Sequence, residues 1–457
     1  MLRNIFVDRG DELAYLERLW REKNFALVII YGRRRIGKTR LLLEFSKRRK
    51  TIYYLAVEAT YEHLSREFSD IVEKTFGLPV GGDIISVLRA IPKIADDKVL
   101  VVLDEFQYLV DANPRFVSEL QRLVDEYLAR TKMMLILCGS AVSFFERKLL
   151  GYKSPIFGRR KAAMKIKPLR FVHIREFFPK YTLKELIYVY GIVGGTPAYL
   201  EKLDPNRSIL ENIRDIITPG HYLYDEALNL LRQEVREPKT YFSILAAITE
   251  GYVRPGEIAS FSKVDPRTIT KYIDMLEDLD ILTRVRPLGF KKPVIVEFSD
   301  NYFRFWFTYI YKLRTTLELG LIEEALEYIT ETLDQYTSKI FERIIIELLP
   351  HLYRSKILKT KPIQFGRWWH KDIEIDLVIR EPGKSTTFVE TKWKDLTHSE
   401  ALRILDELQK KSTKTGLQSP QNFYMLVARK ITDKETPIVE NHRIIIDLRT
   451  LEDIISK

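Results

Sequence analysis

Apolar residues are distributed along this chain in three successive patterns. The N-terminal part carries uninterrupted runs: Ala26-Leu27-Val28-Ile29-Ile30-Tyr31, Val99-Leu100-Val101-Val102-Leu103 and Met133-Met134-Leu135-Ile136-Leu137-Cys138. Short runs without polar alternation predict strands covered on both faces, as in a parallel sheet. Ahead of the first run, Leu13, Leu16, Leu19 and Trp20 share one face of an expected helix. From residue 241 to residue 285 the spacing becomes helical, in three segments followed by strands. Beyond residue 370 it alternates: Ile373-Glu374-Ile375-Asp376-Leu377-Val378-Ile379 and Thr386-Thr387-Phe388-Val389-Glu390-Thr391-Lys392-Trp393 predict two strands joined by a turn at Glu381-Pro382-Gly383-Lys384. The fold class expected is α/β, with domains over residues 1–215, 216–300, 301–338 (a helical connector) and 339–457.

The first run leads directly into Gly32-Arg33-Arg34-Arg35-Ile36-Gly37-Lys38-Thr39, a complete P-loop. Its glycines allow a tight turn whose N–H groups face a phosphate. Lys38 reaches the β and γ phosphates, and the Thr39 hydroxyl is suited to Mg²⁺. Arg40 and the residues after it predict the helix whose positive end faces that phosphate. The ligand expected is therefore ATP with Mg²⁺. The second run ends in Asp104 and Glu105, so Asp104 is expected to support Mg²⁺ and Glu105 to orient and deprotonate water. The third run ends Leu137-Cys138-Gly139-Ser140; Ser140 either places a hydroxyl near the γ-phosphate or caps the next helix. Arg159 and Arg160 are candidates for phosphate sensing, in cis or towards a neighbouring copy in a homo-oligomer, or belong to a solvated basic loop.

In the middle region Asp265 is expected as an N-cap, with Pro266 at the first helical position. Ile269, Tyr272, Ile273 and Leu276 form the packed face of the next helix. That leaves Arg267, Thr268, Thr270 and Lys271 outward, as a major-groove helix requires. Two following strands would form a wing with Lys291 and Lys292 at its tip. Such a winged helix either contacts DNA or serves as a packing domain. The dense aromatics after Asp300 predict a core-forming connector.

In the alternating region Glu390 and Lys392 share a face, and pairing across the turn brings Asp376 beside them. Carboxylates with a lysine supply the groups for Mg²⁺-dependent phosphodiester hydrolysis, with Glu342 as an added ligand from a helix; they also occur as an ordinary exposed set. His370 and His398 have no ligand partner at suitable spacing and are expected to be packing or surface residues.

Composition narrows the class. The chain has 457 residues with 46% hydrophobic and 30% charged content, a globular composition too long for one ordinary core. No apolar run is long enough to span a bilayer, and the first residues lack a signal-peptide core, so a cytoplasmic protein with no membrane partner is expected. One cysteine, Cys138, excludes an intramolecular disulfide and a cysteine-based zinc site. Scarce Cys with abundant Lys, Glu, Ile and Tyr fits a thermophile. The net charge of +11 favours a polyanionic partner such as DNA.

The motif order resembles the archaeal ATPase family, a branch of the STAND-type P-loop NTPases related to AAA+ proteins. The segments that carry the resemblance are Phe6-Val7-Asp8-Arg9-Gly10-Asp11-Glu12-Leu13, the P-loop, Leu103-Asp104-Glu105-Phe106-Gln107, Cys138-Gly139-Ser140, Phe157-Gly158-Arg159-Arg160 and Gly194-Gly195-Thr196-Pro197. The resemblance implies that Phe6 and Arg9 lie near the adenine, and that residues 194–197 belong to a small helical region after the sheet. Phe341-Glu342, Gly366-Arg367-Trp368-Trp369, Glu374-Ile375-Asp376 and Glu390-Thr391-Lys392-Trp393 resemble the PD-(D/E)XK nuclease-like domain often appended to such ATPases, with Ile375 in place of the usual proline. The function expected is a P-loop ATPase acting on or with nucleic acid through a winged helix and a restriction-endonuclease-like domain. Two alternatives stand beside it: an ATP-dependent assembly switch with an inactive nuclease-like scaffold, and a toxin-like nuclease controlled by its ATPase half.

Overall fold

The computed structural model describes residues 7–456, which form two compact units. The first holds the residues up to Leu169 together with Thr196–Ala198; the second holds Arg170–Gly195 and the residues from Tyr199 onward.

The first unit is built on a five-stranded parallel sheet. Its strands are β1 (Ala26–Tyr31), β2 (Thr51–Leu55), β3 (Leu100–Asp104), β4 (Met134–Gly139) and β5 (Arg160–Lys165), in the order β2-β3-β4-β1-β5. Every residue of β1, β3 and β4 is buried, because the sheet is covered on its faces. Leu16 and Leu19 of α1 (Gly10–Arg21) and Leu41, Leu42 and Phe45 of α2 (Lys38–Ser46) pack with Val28, Ile30, Val102 and Ile136. Cys138 is part of the same core. The edge strand β5, rich in lysine and arginine, has no apolar run to announce it. Parallel pairing gathers the C-terminal ends of β1, β3 and β4 on one rim, where open α/β sheets hold ligands.

The second unit begins with residues that were grouped by sequence with the ATPase domain. Helix α3 (Leu183–Val193) packs instead within the second unit. The Tyr190 hydroxyl donates to Glu347 at 2.7 Å, Tyr336 donates to the Gly191 carbonyl at 2.7 Å, and Asn301 Nδ2 donates to the Tyr190 carbonyl at 2.8 Å. Beyond Lys184 and Glu185 in its first turn, the apolar run over residues 186–193 brings the buried residues of α3 to eight, which a single covered face would not do.

Further along the chain come the helices α4 (Pro238–Thr249), α5 (Pro255–Ser262) and α6 (Ile269–Asp278), then the antiparallel hairpin β6 (Leu282–Val285) and β7 (Ile295–Phe298). Helix α6 starts later than the capping pattern suggested. Asp265 accepts the Arg267 N–H at 2.8 Å, and its carbonyl accepts the Ile269 N–H at 3.2 Å. Asp265 thus makes the capping bonds expected of it, with Pro266 after it, but over a short turn at residues 266–268 that leads into the regular helix at Ile269. The aromatic segment is core: Tyr302, Phe303, Phe305, Trp306, Phe307 and Tyr309 are all buried.

Helix α7 (Ile322–Glu347) lies against β9 and β10 of a six-stranded mixed sheet. The strands are β8 (Gln364–His370), β9 (Ile373–Glu381), β10 (Ser385–Leu396), β11 (Gln421–Ile431), β12 (Ile438–Glu440) and β13 (Arg443–Ile446), ordered β12-β13-β11-β10-β9-β8. Strands β8 to β10 form an antiparallel meander, whereas β10, β11 and β13 run parallel. Helix α8 (His398–Ser412) makes the crossover from β10 to β11 and buries Ala401, Leu405 and Leu408 on Phe388 and Leu426. No helix among the described residues is long and apolar enough to cross a membrane.

Candidate functional site

The P-loop leaves β1 through Gly32 at φ +152° and enters α2 through Gly37 at φ +92°. Both values favour glycine. A Cβ on Gly32 would also meet the Ile166 carbonyl oxygen at 2.4 Å. The Lys38 ammonium lies inside the loop and donates to the carbonyls of Gly32 (2.7 Å) and Arg33 (3.0 Å). Arg33 is buried and donates to the Thr196 hydroxyl at 3.3 Å. Arg34, Arg35 and Ile36 complete the turn, and Arg40 lies in the first turns of α2. Arg9 is buried: it donates to the Ile36 carbonyl at 3.1 Å and to the Lys167 carbonyl at 2.8 Å, and pairs with Glu12. It braces the loop backbone from behind, a different task from the base contact expected of it. Phe6 lies outside the described residues.

Asp104, at the end of β3, is 1% exposed. Its Oδ2 accepts the Thr39 hydroxyl at 3.2 Å and the Tyr53 hydroxyl at 2.5 Å. Burial and the Asp104 charge both push the Tyr53 pKa upward, so Tyr53 remains a donor. Glu105 has a left-handed backbone (φ +51°), uncommon for a non-glycine residue. Its Oε2 accepts the Ser140 hydroxyl at 2.9 Å, the Ser140 N–H at 3.3 Å and the Gln107 amide. Ser140 thus acts on the candidate base. Gln107 ends the segment 103–107, which does not mark it as a site residue, whereas Tyr53 joins the site with no motif to reveal it; only strand pairing of β2 with β3 brings it there.

The two arginines do not share this rim. Arg160 opens β5 and pairs with Leu27, near the start of β1, while the P-loop follows Tyr31 at its end. The sensing in cis considered for Arg159 and Arg160 is corrected by this register: four β residues at about 3.3 Å each separate the two ends. Arg159 pairs with Asp125 at 2.8 Å, and Arg160 lies over the Phe157 ring.

In the second unit, β9–β10 pairing sets Leu377 opposite Val389, so the next step sets Asp376 across from Glu390. Asp376 accepts the Thr391 N–H at 2.8 Å and the Thr391 hydroxyl at 3.0 Å. Glu390 is buried; its Oε1 accepts Lys392 Nζ at 2.8 Å and lies 3.5 Å from Lys411 Nζ, whereas its Oε2 is buried without a hydrogen-bond partner. Glu342, on α7, pairs with Lys339 at 3.0 Å. Burial first, then the charge of Asp376, push Glu342 up to about 7 and raise Glu390. Burial opposes the charge of Lys392, but Glu390 beside it raises its pKa. These four groups form one electrostatic cluster. Among the described residues no three His, Cys, Asp or Glu side chains converge into a ready cation cage, so the three-carboxylate metal set is not preformed.

Arg267, Thr268, Thr270 and Lys271 are exposed, as are Lys291 and Lys292. Arg267 pairs with Asp265 at 2.7 Å. The hairpin tip departs from a free wing. The Leu288 N–H donates to the Arg367 carbonyl at 2.8 Å, Leu288 packs against the core of the mixed sheet, and Phe290 stacks on His370 at 6.4 Å. His370 is an exposed residue whose ring meets that of the equally exposed Phe290.

A P-loop, an acid-terminated strand and a polar residue ending the strand between them, on one rim of a parallel sheet, define a P-loop ATPase. Comparison with known proteins gives the family. Residues 6–203 match the family described as an ATPase domain predominantly from Archaea, and residues 306–404 match a family of archaeal and bacterial proteins of unknown function. An uncharacterized protein of Methanocaldococcus jannaschii is 36% identical over 436 residues, covering 94% of this chain and 97% of that one. An uncharacterized ATP-binding protein of the same organism is 50% identical over 46 residues, 10% of this chain and 78% of that one. Among solved structures, a Walker-type ATPase of Pyrococcus abyssi aligns with TM-score 0.51 at 20% identity, covering 67% of this chain and 97% of the other. The chain belongs to this archaeal ATPase family.

Proposed function

We propose that the protein hydrolyses ATP with Mg²⁺ at the rim of the parallel sheet and acts with nucleic acid through its second unit. The observation that supports hydrolysis is the hydrogen-bonded pair of Thr39 and Asp104 with Glu105 directly beyond it. A hydroxyl and a carboxylate are the hard oxygen donors that Mg²⁺ takes, so Thr39 and Asp104 fit the ion. An ion held by these two residues would supply a positive charge against the phosphates. The chain's own groups do the rest. The P-loop N–H groups and Lys38 hold the phosphates, the positive end of α2 faces them, and Glu105 takes a proton from the attacking water. Ser140 and Gln107 fix the orientation of Glu105 through its Oε2. Lys38→Ala and Glu105→Gln should each abolish phosphate release, and Glu105→Gln should retain ATP binding; steady phosphate release by Lys38→Ala would reject the assignment.

For the second unit, the leading reading is a winged helix, formed by α4 to α6 and the β6–β7 hairpin, together with a PD-(D/E)XK nuclease-like domain. Its support is the cluster of Glu342, Asp376, Glu390 and Lys392, where the unpartnered Glu390 Oε2 suits a cation. A second reading, an ATP-dependent switch with an inactive scaffold, is favoured by Lys392 and Lys411 on Glu390, and no ligand set converges among the described residues. Nicking of supercoiled plasmid in Mg²⁺, with and without ATP, separates the two. Cleavage lost in Glu390→Ala supports the nuclease; no cleavage by wild type supports the scaffold.

A further inference from the structure

The second unit carries a half-open cavity of about 410 Å³ bounded by α4, β7, the aromatic segment and α7. This is the size range of small-molecule sites. Four cations line it, Arg304, Lys339, Arg343 and Arg367, against two acids, Glu297 and Glu342. Both acids already have partners: Lys339 pairs with Glu342 at 3.0 Å, and Arg367 pairs with Glu297 and also, at 2.6 Å, with Glu374. The remaining two arginines have no carboxylate partner among the described residues. Arg343 donates only to neutral oxygens, the Phe298 carbonyl and Asn301 Oδ1 at 3.0 Å each and the Ser299 carbonyl at 2.5 Å. Arg304 has a buried Nε with no hydrogen-bond partner. Burial, then the neighbouring Arg343, lower its pKa.

A guanidinium keeps its charge in a protein, and a buried charge without a counter-charge is costly. An anion in the cavity would remove that cost. The walls also hold Tyr309, Tyr328 and Tyr336. The Tyr309 and Tyr336 rings lie 5.4 Å apart, and Tyr328 is 47% exposed. Guanidinium groups suit phosphate, and aromatic faces stack on nucleobases. We propose that this cavity binds a nucleoside phosphate, with the phosphate on Arg304 and Arg343 and the base against the tyrosines. The ligand is either a free mononucleotide or the 5′-phosphorylated end of a strand. The site is separate from the P-loop and does not require cleavage at Glu390. Because Glu342 lines the same cavity, occupancy would be felt at the carboxylate cluster.

The test uses full-length Lys38→Ala protein, which removes nucleotide binding at the P-loop, in EDTA. Calorimetric titrations are run with 5′-AMP and with a trinucleotide carrying either a 5′-phosphate or a 5′-hydroxyl. One saturable site is expected. Adding Arg304→Gln, which removes no described contact, should weaken binding about tenfold or more without lowering the thermal melt of the ligand-free protein. Tyr328→Ala should weaken it several-fold and serves as the deciding variant if Arg304→Gln does not fold. Binding of 5′-AMP identifies a free nucleotide; binding of only the 5′-phosphorylated trinucleotide identifies a strand end. Absence of binding by all three probes, or binding unchanged in both variants, overturns the proposal.

Discussion

Replacing Glu342 by glutamine should make the protein more stable at alkaline pH and leave it nearly unchanged at acid pH. Glu342 is 12% exposed on its side chain, and burial with the nearby Asp376 raises its carboxyl from 4.5 to about 7. The sign follows from proton linkage. Below about pH 4.5 the group is protonated in both the folded and the unfolded chain, so it costs nothing. Between about 4.5 and 7 the unfolded chain releases the proton while the folded chain keeps it, and stability falls as pH rises. Above about 7 the loss is complete, at about 3 kcal/mol given ~1.4 kcal/mol per tenfold change in proton affinity. Glutamine removes that loss and gives up the bond to Lys339, worth under ~1 kcal/mol for a pair whose lysine is 49% exposed. The net gain at pH 8.5 is about 2 kcal/mol, or roughly 4–8 °C in Tm for a unit of this size. Thermal unfolding of wild type and Glu342→Gln in EDTA, at pH 5 and pH 8.5, checks it. An equal Tm difference at both pH values, or destabilisation by glutamine at pH 8.5, would refute the electrostatic account of the cluster. Saturating Mg²⁺ should shrink the difference at pH 8.5 if the carboxylates hold the ion.

Further expectations concern other parts of the molecule. Ser140→Ala should reduce ATP turnover about tenfold while ATP affinity changes little, because it removes one of the two side-chain donors that hold the Glu105 Oε2; unchanged turnover would separate Ser140 from the base. Leu288→Ala should cost roughly 2–3 kcal/mol in chemical denaturation of the second unit, because the side chain is packed against the mixed-sheet core; a loss under ~0.5 kcal/mol would show that the hairpin tip is not anchored. Arg267→Ala with Lys271→Ala should weaken DNA binding across all sequences and lower the salt slope by about 2. An unaltered slope would assign the helix bundle to packing.

The chain's local chemistry determined the nucleotide half of the site. The P-loop, Asp104 and Glu105 are contiguous segments whose roles follow from backbone geometry and residue type, and unbroken apolar runs suffice to call the strands that carry them. The Asp376, Glu390 and Lys392 set was legible for a similar reason, since alternation and a short turn leave little choice of register. Tertiary structure alone decided the rest. Tyr53 reaches Asp104 only because β2 lies beside β3, and Arg160 is carried away from the P-loop because, as the first residue of β5, it stands opposite Leu27 near the start of β1. Residues 170–195 pack within the second unit because α3 is apolar over residues 186–193 and needs α7 to cover it. The tip of the hairpin is held by Leu288 on a sheet whose strands begin about 75 residues later, a contact that no local pattern encodes. The uncompensated arginines of the cavity are equally invisible in sequence: charge can be counted there, but whether a carboxylate stands opposite depends on how distant helices and strands meet.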